Sequence, residues 1–246
     1  MSVNERVVIV GVSGASSSGK TTVSKVLHSL FPNSVLIHQD DFYLPDEDIP
    51  FDNTVQDLNW DCVEAINFEQ LSKVLTNFKT IPGFVYSKAT KENDDFNKSL
   101  SKQTDASIRE KISEKLSSVS TNVKFVFLDG FLLYQNEQLA HLFDVKLFFK
   151  TDFQTLKQRR DNREYVIDNG VWVDPPNYFE NLVWKEYYKN HNFLFVDGDN
   201  EENVKLNKND LNSKAKSLGI KGFNNDNDCI FDDLLNDVVS YILDQI

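Results

Sequence analysis

Gly14-Ala15-Ser16-Ser17-Ser18-Gly19-Lys20-Thr21 is the stretch on which the fold turns. It spells G-x-x-x-x-G-K-T directly after the apolar run Val7-Val8-Ile9-Val10-Gly11-Val12. Glycines in such a loop let the backbone turn tightly, so that successive N–H groups face inward at phosphate oxygens. Lys20 then reaches the β- and γ-phosphates of a nucleotide and the Thr21 hydroxyl holds Mg²⁺, with Gly14, Ser16, Ser17, Ser18, Gly19 and Thr22 completing the cradle. The motif needs a strand before it and a helix after it, and both signals are present. From Thr22 onward Val23, Val26, Leu27 and Leu30 recur at helical spacing until Pro32. The start of that helix also directs a partial positive charge at the phosphates.

Further short runs of β-branched or aromatic residues at 35–38, 124–128, 145–149 and 192–196 read as strands separated by helical or polar segments. Together with 7–12 they predict an α/β fold of the P-loop NTPase type, a buried parallel sheet flanked by helices. The 246 residues, 40% of them hydrophobic, suit a single domain over 1–246. Residues 87–121 form a polar insertion with one amphipathic helix, marked by Ile108, Ile112, Leu116 and Val119. Residues 199–228 read as a polar, mobile loop before a C-terminal helix carrying Ile230, Phe231, Leu234, Leu235, Val238 and Ile242 on one stripe.

Charge and composition narrow the function. A net charge of −12 repels a phosphate backbone, which argues against nucleic acid as a partner. The two cysteines, Cys62 and Cys229, lie far apart without C-x-x-C spacing, as suits a reducing compartment. No apolar run approaches the roughly 20 residues of a membrane span. The expectation is a soluble, cytoplasmic protein that acts on a small molecule.

In open α/β sheets ligands bind beyond the carboxyl ends of the strands. After 35–38 come Gln39-Asp40-Asp41-Phe42-Tyr43, two carboxylates near the P-loop; Asp40 is the candidate proton acceptor for a substrate hydroxyl and a neighbour of Mg²⁺. The apolar run 125–128 ends in Asp129-Gly130, where Asp129 fits the Walker B carboxylate that assists Mg²⁺, or else an Asp-Gly turn. Three of the five arginines, Arg159, Arg160 and Arg163, fall within five residues. Thr151 with Gln154 reads as a capping box opening a helix over 153–163, with Arg159 and Arg163 on one face. Such a helix makes a lid over ATP, because the guanidinium fork suits phosphate; a solvated basic helix end is the plainer alternative. Trp60-Asp61 is balanced between a base-stacking and ribose-binding pair and an ordinary helix cap built from Asp61 and Glu64.

Taken together, these residues resemble the nicotinamide riboside kinases, within the wider group of P-loop uridine and pantothenate kinases. The resemblance runs through most of the chain: residues 8–22, His38-Gln39-Asp40-Asp41-Phe42-Tyr43, Asn59-Trp60-Asp61, Leu128-Asp129-Gly130-Phe131, Arg159-Arg160 with Arg163 and Tyr165, Asp174-Pro175-Pro176-Asn177-Tyr178-Phe179, and Asp197-Gly198. It implies transfer of the ATP γ-phosphoryl to the 5′-hydroxyl of nicotinamide riboside, with nicotinic acid riboside as a further substrate. By position it implies Asp40 as the proton acceptor, lying with Thr21 at Mg²⁺. Asp40, Asp41, Phe42, Tyr43, Trp60, Asp61, Arg160, Tyr165 and Val166 would line the riboside pocket, with Asp61 and Arg160 on the sugar. Arg159 and Arg163 would serve ATP. Trp60 and Tyr165 would sandwich the pyridine ring, where a cationic ring gains cation–π attraction.

Three features depart from the family pattern. Asp129 stands where some members carry Glu, so the shorter acid would act on Mg²⁺ through a water. Trp60 replaces a Tyr, and the 87–121 insertion is longer than in compact members. A uridine or cytidine kinase shares the same P-loop, acid and arginine lid. A GTPase-like switch is suggested by Asn207-Lys208-Asn209-Asp210, which matches N-K-x-D, but no D-x-x-G occurs and no apolar strand leads into the match. No feature of the sequence fixes an oligomeric state.

Overall fold

The β-branched run becomes the centre of β1 (Glu5–Gly14), the middle strand of the sheet in a computed structural model. The structure describes residues 5–86, 100–119, 121–163, 165–167 and 170–246, without the side chains of 165–172. Nine strands occur among the described residues. Five build one parallel sheet: β1, β2 (Ser34–His38), β5 (Asn122–Gly130), β6 (Val145–Lys150) and β9 (Ile220–Asn224), in the order β2-β5-β1-β6-β9. The other four form two small hairpins, β3 (Phe51–Asp52) with β4 (Asp57–Leu58) and β7 (Tyr165–Ile167) with β8 (Gly170–Trp172).

Because strand side chains alternate, β1 feeds two cores. Val8, Val10 and Val12 pack on one face with Val23 and Leu27 of α1 (Lys20–Leu30), Ile108 and Ile112 of α3 (Lys102–Ser118), and Leu235, Val238 and Ile242 of α9 (Phe231–Asp244). Ile9 lies in the opposite core with Val126, Leu128 and Phe148 of the neighbouring strands, Leu71 and Leu75 of α2 (Phe68–Thr80), and Trp184 of α6 (Trp184–His191). Each large side chain so buried contributes about 1.5–3 kcal/mol. The helix expected within 87–121 is α3. Its Ile108 and Ile112 are core residues, and Lys111 Nζ donates to Asn236 Oδ1 and Ser240 Oγ on α9 at 2.7 and 3.1 Å, so this helix is a layer of the fold. Residues 87–99, in the rest of that insertion, lie outside the described residues.

Two expectations fail at the far edge of the sheet. Residues 192–196 are not a strand: Asn192–Leu194 is a turn of 3₁₀-helix, and Phe195 makes one isolated bridge to Leu211. The fifth strand is β9, inside the stretch expected as a polar, mobile loop over 199–228. That stretch also holds α7 (Glu201–Lys205) and α8 (Ser213–Ser217), capped by Asn200 and Asn212. Asparagine-rich sequence here supplies helix caps and turn bonds, the local use of Asn that keeps it out of helix interiors. Asn207, Asn209 and their neighbours serve the same purpose. Asn207 Nδ2 donates to Asp226 Oδ2 at 2.8 Å, and Asn209 Nδ2 donates to the Val196 carbonyl.

Candidate functional site

The P-loop leaves β1 at the centre of the sheet, and its geometry depends on two glycines. A Cβ on Gly14 (φ +150°) would lie 2.5 Å from the Phe149 carbonyl oxygen of β6. Gly19 caps α1 in the left-handed region at φ +88°, and a Cβ there would run into the Asn225 side chain. Ser17 is also left-handed, at φ +65°. The loop is held by the Ser18 N–H, which donates to the Ala15 carbonyl at 3.1 Å, and by Asn225 Nδ2, which donates to the Ser18 carbonyl at 2.7 Å. Asn225 was not foreseen from the sequence; it follows β9 directly, and its own N–H donates to the Lys150 carbonyl at 2.8 Å. The hydroxyls of Ser13, Ser17 and Ser18 are buried without a hydrogen-bond partner among the described residues. Unpaired buried donors beside a turn of inward N–H groups fit the oxygens of a phosphate chain.

Asp129 ends the apolar core of β5 within the strand, not in an Asp-Gly turn. Oδ2 lies 3.2 Å from His38 Nδ1, and both residues are buried. Oδ1 is buried with no hydrogen-bond partner among the described residues. Burial alone would raise the carboxyl's pKa, but His38, the Lys20 ammonium and the Thr21 hydroxyl outweigh it and hold the group below the ordinary aspartate range. An ionised carboxylate with one open oxygen beside Thr21 fits Mg²⁺, which keeps several waters and binds through one or two carboxylates. No cluster of three His, Cys, Asp or Glu side chains suited to a metal is found among the described residues.

Around Asp61, whose carboxyl also feels the Lys20 charge, charged and aromatic side chains gather into a candidate acceptor pocket. Gln39–Phe42 forms a turn of 3₁₀-helix after β2, leaving Asp40 exposed, Phe42 buried and Asp41 between them. Tyr43 meets Trp60 edge-on at 5.3 Å and tilts against Phe131 at 6.3 Å. Its hydroxyl is pushed well above the usual range by burial, reinforced by the charges of Asp40 and Asp61. Asp61 is no helix cap: the short 3₁₀ turn Val63–Ala65 follows Cys62. Its N–H donates to Asn59 Oδ1 at 3.1 Å, while Asn59 Nδ2 donates to Glu186 Oε1 at 3.2 Å. The Asp61 carboxyl is raised, first by burial, and Asp174 and Glu186 add to the rise while Arg160 and Lys20 oppose it.

The arginines divide. The helix α5 (Phe153–Asp161) is capped by Asp152, whose Oδ1 accepts from the Thr155 N–H at 2.9 Å, not by Thr151. Because the helix stops at Asp161, Arg163 lies beyond it and exposed, so Arg159 and Arg163 do not share a helical face. Arg159 Nη2 donates to Asn227 Oδ1 at 3.4 Å, beside Asn225. Arg160 is buried and bridges the two halves of the site. Nε and Nη2 donate to the Asp174 carboxylate at 2.6 and 3.2 Å, and Nη1 donates to Ser16 Oγ at 2.8 Å. Its guanidinium sits 5.7 Å from the Tyr178 ring centre. Asp174, Tyr178 and Glu186 thus join the candidate site; the first two carried no role in the sequence reading, and Glu186 no signal at all. Tyr165 and Val166 form the β7–β8 hairpin, and their side chains lie outside the described residues.

Residues 9–166 match the Phosphoribulokinase / Uridine kinase family. The chain is similar to the nicotinamide riboside kinase of Schizosaccharomyces pombe, 42% identical over 79% of this chain and 83% of that one. It is also similar to that of Saccharomyces cerevisiae, 35% identical over 92% and 91%, and of Eremothecium gossypii, 34% identical over 80% of each. No helix among the described residues is long and apolar enough to cross a membrane.

Proposed function

We propose a substrate and a mechanism on the premise that this chain belongs to the phosphoribulokinase and uridine kinase family and, within it, to the nicotinamide riboside kinases. The protein is an ATP-dependent kinase that phosphorylates the ribose 5′-hydroxyl of nicotinamide riboside, giving nicotinamide mononucleotide. One observation carries the coupling of donor and acceptor: Arg160 bonds both Ser16 of the phosphate cradle and Asp174 of the adjoining pocket.

The acceptor side fits a cationic nucleoside. Asp61, Asp174 and Glu186 bring carboxylates to the site, with Arg160 paired to Asp174, while Tyr43, Trp60 and Tyr178 offer aromatic faces. Asp61 and Arg160 are assigned to the sugar hydroxyls, and Trp60 with Tyr165 to the pyridine ring. Bidentate and ring contacts of this kind hold a hydroxyl in line with a phosphorus atom, where orientation alone supplies several kcal/mol.

The chemistry asks little else of the protein than charge and position. Lys20 and the P-loop N–H groups hold the β- and γ-phosphates, and Arg159 and Arg163 serve the nucleotide from the α5 side. Asp40 accepts the proton of the attacking 5′-hydroxyl. Thr21, Asp129 and Asp40 would hold Mg²⁺, which when bound neutralises charge on the phosphate oxygens.

The test is ATP-dependent phosphorylation of nicotinamide riboside beside uridine and cytidine, with wild-type protein and Asp40→Ala. Preference for nicotinamide riboside, with turnover reduced about 10²–10⁴-fold in the variant while ATP still binds, is the expected result. Preference for uridine or cytidine would overturn the substrate, and surviving turnover in Asp40→Ala would overturn the base.

A further inference from the structure

Asp129 and His38 stand directly opposite each other in the parallel β2–β5 pairing. Their side chains meet at 3.2 Å, each about 5% exposed. An aspartate is one methylene shorter than a glutamate, about 1.5 Å of reach, so a carboxylate here has less freedom to find its ligand and more to lose by pairing elsewhere. The competing partner is Lys20, whose charge already acts on Asp129. Rotation toward that ammonium would turn the open oxygen away from the Thr21 side, where the metal is expected.

We propose that His38 is a positioning residue for phosphoryl transfer: its Nδ1–H, delivered from the adjacent strand, anchors Asp129 Oδ2 and keeps Oδ1 as the open ligand on the Thr21 side. An ionised carboxylate only accepts, so the ring must carry its proton on Nδ1. The strand ends that carry the pair are themselves tied. Gln39 Nε2 donates to the Leu132 carbonyl at 2.7 Å, and the Leu132 N–H donates back to Gln39 Oε1 at 2.9 Å. Ring and carboxylate therefore approach from two rigid strands, and the bond selects one carboxylate rotamer. An outer partner that orients a metal-binding group typically changes metal affinity or activity by 10–100-fold.

The proposal rests on the kinase reading above and deepens it. Its test compares wild type, His38→Ala, which loses the donor, and His38→Asn, whose side-chain amide keeps an N–H near the Nδ1 position. Mn²⁺ binding to the ATP-loaded protein is followed by electron paramagnetic resonance, and ATP binding is measured separately in EDTA. Mn²⁺ affinity should fall about 10–100-fold in His38→Ala and recover most of that in His38→Asn, with metal-free ATP affinity the same in all three. A merely structural histidine would weaken ATP binding equally with and without metal and would not be rescued. Nitrogen-15 spectra of the wild-type ring should show the Nδ1-protonated tautomer, a readout that holds even if the alanine variant fails to fold. The Nε2-protonated tautomer, or unchanged Mn²⁺ affinity in His38→Ala, would overturn the proposal. Wild-type protein whose ATP binding ignored Mn²⁺ would instead sink the kinase reading on which it stands.

Discussion

The candidate phosphate cradle occupies eight consecutive residues, Gly14 to Thr21, and would hold its ligand mainly through backbone, whereas the candidate pocket beside it draws Tyr43, Trp60, Asp61, Arg160, Asp174 and Tyr178 from separate stretches of chain. The first side tolerates almost no added atom, because its space is filled by carbonyls and by Asn225. The second is a network of side chains whose charges balance one another. Change on the cradle side should therefore act as loss, and change on the pocket side as a graded shift in substrate affinity.

The largest effect should come from Gly19→Ala, which puts a side chain at φ +88° and against Asn225. Strain and overpacking together come to about 4 kcal/mol, or roughly a thousandfold in ATP affinity. Calorimetric ATP titration would show it, and near-normal binding would erase the contrast between the two sides. Arg160→Lys keeps the charge but loses the fork that spans Asp174 and Ser16. The loss should be about 2–3 kcal/mol, roughly 30–160-fold in kcat/KM for the riboside, against a few-fold in ATP affinity. Equal losses for both substrates would mean that Arg160 belongs to the cradle.

Acid should separate the two sides by a third route. His191 of α6 is buried under the pocket side, its Nδ1 2.8 Å from the Tyr187 carbonyl, and burial pushes its pKa down to about 4. The unfolded chain takes up this proton near pH 6.5, so stability present at neutral pH is lost as pH falls towards 4, by about 3 kcal/mol for this one group. Asp129, held below the ordinary range, stays ionised over the same interval. Urea denaturation at pH 7 and 4.5 should show the fall, and replacing His191 by Phe should flatten it.

The smallest effect is a gain. Asp61 has its carboxyl raised by burial, so its folded form favours the proton, and the ionised group costs stability above the folded-state pKa. Asp61→Asn should therefore raise Tm at pH 7 by about 2–4 °C, with the gain shrinking as pH falls, while KM for the riboside rises. A lower Tm at pH 7 would mean that the attraction of the Arg160 and Lys20 charges outweighs the burial cost.

The cradle was legible in the sequence because backbone geometry is written in glycine spacing. Gly14 and Gly19 announce the turn, and the helix period of Val23, Val26, Leu27 and Leu30 confirms where it ends. Half of the pocket was legible through Tyr43, Trp60, Asp61 and Arg160, since they stand next to strand ends or within a recognisable run. Glu186 gave no signal, because its role depends on α6 crossing above Asn59. The edge strand β9 was missed for a related reason: Ile220-Lys221-Gly222-Phe223-Asn224 buries only Ile220 and Phe223 fully and so lacks the unbroken apolar run of an inner strand. Phe193-Leu194-Phe195-Val196 has such a run, yet Leu194 and Phe195 are buried by a 3₁₀ turn. The Arg159–Arg163 face failed because α5 ends two residues earlier than the charge pattern suggested.

The bond from Asn225 to the Ser18 carbonyl joins residues 207 positions apart in the chain. During synthesis the glycine-rich loop emerges from the ribosome well ahead of the carboxamide that holds it, which arrives only after β9 has been made. Until then the nascent chain carries the loop sequence without its clamp, and nucleotide has no finished cradle to rescue. A nucleotide can thus stabilise the nascent chain only once β9 has been made, which makes the edge strand, not the central one, the step that commits the protein to binding.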